Sequence, residues 1–446
     1  MGSRFRRRTC IEVEGEIRMK NIHLLQNILS KHSGECEHSI VANDTTSYEL
    51  FFVHGKLETV RKAEHSSAQI SVFVKHDGKL GSASFVADES ATEQEIESKT
   101  QEALGNAKMI FDEPYELPCD DKQLDGVIPS NLGGRDEKQV AADVAKAVLS
   151  ACTLNDCSIN ALEVFVTTRV NTVLNSKGVN KRQTKHTVSV EVIPTCNAEA
   201  ESVELFETYE FGNLDEQAII REIAARVEDV SMRAKAVKPQ EKIDCPVILN
   251  PYDIREMFEE LVSDAQYSSV YLHTNLHELG SKWQSSPVGD KLTITMRGVV
   301  DGSPASALFD KDGTSLCDKT IVKDGELVAN FGASRFAQYL GKEATGALGC
   351  IDVESGNTTI SELQSTPHLE CVYLSGIQTD LYNDYIGGEI RLAYYFDGEK
   401  RIPVTGIAMS GKLSEVLNNI TLSKERVVSG CYSGPEKIRL DKMNIF

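Results

Sequence analysis

The stretch Ala68-Gln-Ile-Ser-Val-Phe-Val-Lys-His-Asp-Gly-Lys-Leu-Gly-Ser-Ala-Ser-Phe-Val86 decides the fold class. Apolar and polar residues alternate over 68–74, break at His76-Asp77-Gly78-Lys79, and the chain returns over 80–86. A period of two marks a strand with one buried face. Asp-Gly between two such runs is the strongest short-range signal of an antiparallel hairpin. Just upstream, residues 48–61 read as two short strands around His54-Gly55.

Outward from these turns, strands and helices mix without a repeating strand-helix-strand unit. Residues 20–32 read as a helix with Ile22, Leu25, Ile28 and Leu29 on one stripe. Thr92-Glu-Gln-Glu opens a helix to about 110, with Glu93, Glu95 and Glu97 where the helix dipole favours acid. A third helix spans 136–152, with Val140, Val144, Ala147 and Val148 at helical spacing. Strands are expected at 159–168, 170–175 and 186–194, the last two separated by the turn Asn175-Ser-Lys-Gly178. A long amphipathic helix follows over 214–236, and Pro239 in a polar run marks a boundary near 240. Beyond it come the buried-strand run Pro246-Val-Ile-Leu-Asn, a helix over 252–266, and from 291 short strands with glycine turns. Two further helices are expected at about 331–342 and 412–420. The fold class is therefore α+β. An N-terminal α/β region of antiparallel strands and helices is followed by a β-rich, barrel-like C-terminal domain with few helices. The divisions are 1–18 as a disordered extension, 19–120, 121–240 and 241–446, with Met19 read as the natural start.

Composition narrows the function. The chain of 446 residues carries 47 Lys+Arg against 67 Asp+Glu, a net charge of -20. Such a surface repels phosphate backbones and anionic membranes, so neither nucleic acid nor membrane is an expected partner. Eleven scattered cysteines with no C-x-x-C read as reduced thiols in a cytoplasmic protein. No apolar run is long enough for a membrane-spanning helix.

Local motifs for chemistry are few. His273-Thr-Asn-Leu-His277-Glu278 places two imidazoles four residues apart, which on a helix would share a face as metal ligands do. The zinc-protease order is His-Glu-x-x-His. Here the acid follows the second histidine and Gly280 is close by, so two polar residues in a loop or frayed helix end is the better account of the pair. His368-Leu-Glu-Cys371 could supply ligands from elsewhere in the fold. His273, His277, His368 and Cys371 are thus the metal candidates. Neither a G-x-S-x-G elbow nor a phosphate-binding glycine loop occurs, and no cysteine sits in a recognisable reactive setting.

Several segments together resemble the TldD/PmbA (TldE) family. In the first half they are Gly55-Lys-Leu-Glu-Thr-Val, Asp77-Gly-Lys, Ser82-Ala-Ser-Phe85 and Val173-Leu-Asn-Ser-Lys-Gly-Val179. In the second half they are Phe309-Asp-Lys-Asp-Gly313, Ile321-Val-Lys-Asp-Gly-Glu-Leu327, the run 351–363, Tyr395-Phe-Asp-Gly-Glu-Lys-Arg-Ile-Pro-Val404 and the run 406–420. The resemblance spans about 20 to 446. It implies a heterodimeric zinc peptidase acting on unfolded peptides, in proteolysis or peptide maturation, whose second subunit also bears the older name modulator of DNA gyrase. In that family TldD carries His-Glu-x-x-x-His on a helix of the C-terminal domain and a late cysteine as third ligand. The equivalent helix here, 252–266, has no histidine, and Cys431 falls near the late cysteine. One thiolate without two imidazoles cannot hold catalytic zinc. The resemblance therefore implies a PmbA/TldE-like, metal-free subunit. It would have no catalytic residue or cofactor of its own, and zinc would sit on a TldD-type partner; a homodimer is the other expected assembly. The segment 375–388 is only loosely similar to the family's glycine-rich stretch. The alternatives are a metallopeptidase in its own right with a rearranged zinc site, and a homo-oligomeric peptide-binding protein.

Overall fold

The computed structural model describes residues 22–119, 123–197 and 202–446. The extension expected at 1–18 and the start at Met19 lie outside the described residues. In the first half the order is α1 (Ile22–Lys31), β1 (Glu37–Val53), β2 (Lys56–His76), β3 (Lys79–Asp88), α2 (Glu93–Ala107), β4 (Leu124–Val127), α3 (Glu137–Ala151), β5 (Cys157–Asn175), β6 (Asn180–Asn197), β7 (Ser202–Glu204), β8 (Glu207–Phe211) and α4 (Glu216–Arg233). These strands form one eight-stranded sheet in the order β3-β2-β1-β5-β6-β4, with β7 and β8 also on β6. The regions expected at 19–120 and 121–240 therefore share a sheet, joined by the β1–β5 pairing.

Both predicted hairpin turns form. Asp77 and Gly78 have φ 50° and 72°, and His54 and Gly55 have 48° and 72°. Positive φ at both central residues gives the turn twist that matches antiparallel strands. The strands themselves differ from expectation. β1 and β2 are 17 and 21 residues long rather than short, and 159–168 and 170–175 merge into the single strand β5. Polar runs such as Asn43-Asp-Thr-Thr carry no alternation, so their strand state comes from cross-strand pairing rather than from a sequence period.

Ile40, Ala42 and Leu50 of β1 point to one face. Ile40 and Ala42 pack with α1 and α2, while Leu50 packs with α3 and α4. The helices thus cover a single face of the sheet. Their starts follow the sequence, with Thr92 and Glu95 forming a capping box on α2 and Asp136 capping α3.

The second half runs β9 (Val247–Leu249), α5 (Pro251–Ser263), α6 (Tyr267–Tyr271), β10 (Ile294–Arg297), β11 (Lys319–Lys323), β12 (Glu326–Leu327), α7 (Ser334–Tyr339), β13 (Cys350–Val353), α8 (Ile360–Leu363), β14 (His368–Asp380), β15 (Tyr385–Phe396), β16 (Arg401–Val404), β17 (Ile407–Lys412), α9 (Leu413–Asn418), β18 (Ile420–Leu422), β19 (Arg426–Ser429), β20 (Tyr432–Pro435), β21 (Ile438–Leu440) and β22 (Asn444–Ile445). One sheet has six strands in the order β12-β11-β10-β13-β20-β19. The other has eight, β18-β21-β9-β14-β15-β17-β22, with β16 on β15. The sheets are curled half-barrels, and strand at 42% exceeds helix at 22%, which makes the molecule α+β with a β-rich C-terminal domain. One large core fills the space between them and includes the inner face of α5. No described helix is long and apolar enough to cross a membrane.

The halves are tied at several points. Val173 and Val179 pack on Phe309. Tyr394 of β15 donates to Asp229 of α4 at 2.8 Å. The Gln338 side chain of α7 holds the backbone of Glu116 from both sides, at 2.8 and 2.9 Å.

Candidate functional site

α5 is built by strong local rules. Asn250 caps it by accepting from the Asp253 N–H at 3.0 Å, and Pro251 occupies the first turn. Ile254, Met257, Phe258, Leu261 and Val262 face the core. Phe258 stacks on Tyr432 with centroids 5.9 Å apart. That stack fixes the β19–β20 turn, Gly430-Cys431, against the flank of the helix. Ser303 Oγ donates to the Gly430 carbonyl at 2.7 Å. Cys431 Sγ donates to Glu259 Oε1 at 2.9 Å.

The site is acidic and partly dry. Burial, then the hydrogen bond and charge of Glu259, push the Cys431 thiol up to about 12, with Arg255 opposing. Arg255 lies over the Tyr252 ring at 4.7 Å. Glu256 accepts from the Ile377 N–H at 3.4 Å. Burial, then the charge of Glu256, push Asp253 up to about 8, against a hydrogen bond from Asn250. At neutral pH Asp253 therefore carries its proton.

The sequence-derived metal candidates do not meet. His273 is exposed with φ 55°. His277 Nδ1 donates to Asp264 Oδ2 at 2.9 Å, just past the C-terminal end of α5. His368 is buried against Phe396 and bonds the Thr366 carbonyl at 2.8 Å. Cys371 is fully buried beside Met409, and burial raises its thiol well above the ordinary range. Among the described residues no three His, Cys, Asp or Glu side chains converge as a metal donor set. The side chains present on α5 and at Cys431 do not fit a zinc ion.

What the sequence reading missed is the acid pattern of the helix. Glu259-Glu260-Leu-Val-Ser-Asp264 sets acids at the spacing of His-Glu-x-x-x-His, and Cys431 lies against the first of them. That spacing was the available signal. The contact with Cys431, 172 residues away, gives it a place.

Residues 242–446 match the family model described as PmbA/TldA metallopeptidase C-terminal domain, and residues 39–107 match PmbA/TldA metallopeptidase domain 1. No curated protein matches the chain. Among solved structures, TldE from Thermococcus kodakarensis superposes with TM-score 0.77 at 16% identity, over 95% of this chain and 99% of that one. A proposed modulator of DNA gyrase from Thermotoga maritima gives TM-score 0.74 at 15% identity, over 95% and 100%. Another from Bacteroides thetaiotaomicron gives 0.75 at 16%, over 95% and 97%. At these identities the structures speak for the fold, while the two domain matches, in the family's order and over more than half of the chain, speak for descent. The chain belongs to the PmbA/TldD metallopeptidase family as a PmbA/TldE-like protein.

Proposed function

We propose that this chain is the non-catalytic subunit of a TldD/TldE-type zinc peptidase, holding unfolded peptide while a TldD-type partner carries the zinc. The observation behind this reading is α5. The helix and the Cys431 turn come together, but with Glu259 and Asp264 where the family's metal motif has its two imidazoles. β19 ends its sheet and packs against α5, so an extended peptide can add to it as a strand. Main-chain pairing of that kind reads little of the side-chain sequence, which suits unfolded substrates. The net charge of -20 favours basic or neutral peptides. Free thiols at ten described cysteines fit a cytoplasmic setting.

The test is elemental analysis of the purified chain without added zinc, followed by peptidase assay alone and with a TldD-type subunit. Near-zero zinc, with activity only in the mixture, supports the proposal. A second reading, an enzyme in its own right, draws on His277 seated on Asp264 beside α5. About one zinc per chain, lost in His277→Ala, would replace the first reading by the second.

A further inference from the structure

Cys157 opens β5 and Cys196 stands next to the last residue of β6, and the two are direct partners across the antiparallel ladder. Ser158 on Thr195 and Ile159 on Pro194 continue the same register, and the irregularity in this ladder comes only after Ile159. The backbone bonds show which kind of pair this is. The Asn197 N–H donates to the Asp156 carbonyl at 2.9 Å, while the Cys157 N–H turns back to the Leu154 carbonyl at 3.2 Å. Bonds that bracket a pair instead of joining it mark the non-hydrogen-bonded position of an antiparallel ladder. There the Cα atoms lie about 4.5 Å apart and the two side chains approach each other most closely. Disulfides span Cα separations of about 4.4–6.8 Å, so a bond between these two sulfurs is within reach. Cys196 also pairs with Val203 of β7 on its other side, which holds its backbone in place. Both side chains lie under α4. Cys196 packs with Leu205 and Val230, Cys157 adjoins that cluster, and Cys157 Sγ donates weakly to the Val227 carbonyl at 3.8 Å.

We propose that Cys157 and Cys196 are a dithiol pair that closes to a disulfide by exchange with a small disulfide such as oxidised glutathione. Cys157 is partly exposed and Cys196 is buried, so exchange begins at Cys157. Its thiolate attacks one sulfur of the reagent, a mixed disulfide forms, and one glutathione leaves as its thiolate. The Cys196 sulfur then attacks the Cys157 sulfur, displaces the second glutathione and closes the bond. The pair gives up two electrons, the reagent takes them, and the two protons pass to the two released glutathione thiols. Burial, then a hydrogen bond with Cys196, push the Cys157 thiol up to about 12. Thiolate is therefore scarce at neutral pH, and closure is slow there and quickens about tenfold per pH unit. Cys152 adjoins the same region but sits at the end of α3, outside the ladder, so no strand partner aims its sulfur at either cysteine. The closed bond ties the start of β5 to the end of β6 beneath α4, the helix that meets β15 through Asp229 and Tyr394. The inference is independent of the metal content of the C-terminal domain, since neither α5 nor Cys431 takes part.

The experiment incubates the full native chain with oxidised glutathione at pH 7 and pH 8 for a day and blocks the remaining thiols with N-ethylmaleimide. Digestion without reduction and mass spectrometry then show which cysteines are joined. The peptides of Cys157 and Cys196 are expected as one species, two hydrogens lighter than their sum and released by dithiothreitol. This link should exceed every other intrachain cysteine pairing by about tenfold, because only this pair is held in register. It should form faster at pH 8, and Cys152→Ser should leave it unchanged. A link from Cys152 to either cysteine in its place, Cys157 left as a glutathione adduct, or thiols at 157 and 196 that stay free would each overturn the proposal. So would a link no more abundant in the native chain than in the chain treated identically in urea.

Discussion

Glu259 and Cys431 hold each other in a state suited to neither metal nor nucleophilic chemistry. The thiol donates to the carboxylate, and burial with that negative neighbour keeps it protonated at neutral pH. Thiolate is the reactive form, so Cys431 should alkylate slowly. Replacing Glu259 by Gln removes the charge and lowers the thiol toward its ordinary value. Iodoacetamide labelling of Cys431 at pH 8, followed by mass spectrometry of its peptide, should then accelerate by about tenfold. An unchanged rate would mean that the carboxylate does not control the thiol. Cys431 was visible in the sequence through its place near the late cysteine of the TldD motif. Its partner was not, because nothing local ties residue 431 to residue 259.

At the scale of elements, the hairpins and caps follow from residue chemistry, but the contacts between elements do not. β3 passes the last turn of α2 at Gly81. A Cβ there would fall 1.7 Å from the Ala107 carbonyl oxygen and 3.0 Å from His76 Nε2. Backbone oxygen cannot rotate away, so the helix end must shift. Gly81→Ala should destabilise the chain by about 1–3 kcal/mol, seen as a lower midpoint in denaturant titration. A midpoint equal to that of the wild type would show that α2 yields freely. In the sequence Gly81 follows the Asp77-Gly78 turn closely and reads as more of the same turn. Its φ is not positive, and it is small because α2 lies on it.

At the scale of the molecule, two carboxyls with raised pKa values sit where the halves meet. Burial pushes Glu207 of β8 up to about 7, with Arg226 opposing and Glu222 and Asp229 adding to the rise. Burial, then the charge of Glu256, push Asp253 of α5 up to about 8; Lys437 opposes the rise and Glu207 adds the least to it. A carboxyl whose folded pKa exceeds its unfolded value of about 4 favours the folded state while protonated. Its contribution is intact below about pH 4 and is lost as pH rises toward the folded value. The loss is at most about 1.4 kcal/mol per pH unit for each group. Asp253→Asn removes one such titration. Its stability relative to wild type, from urea titrations at pH 5 to 9, should rise steadily up to about pH 8 and then level. A difference that is flat with pH would show that Asp253 does not titrate in this window.

The sequence by itself determined the turns, the caps, the helical stripes, the β-rich second half, and the lack of histidine on α5. Each is set by a residue's own backbone preference or by a period within a few neighbours. Tertiary structure alone decided that β1, β2 and β5 are long single strands, that Cys431 rests on Glu259, and that His277 rests on Asp264 apart from His368 and Cys371. The β1–β5 pairing and the Cys431–Glu259 contact depend on which distant segments pack together. Closing a loop of more than a hundred residues is governed by the summed burial of a whole core, which no short window of sequence contains.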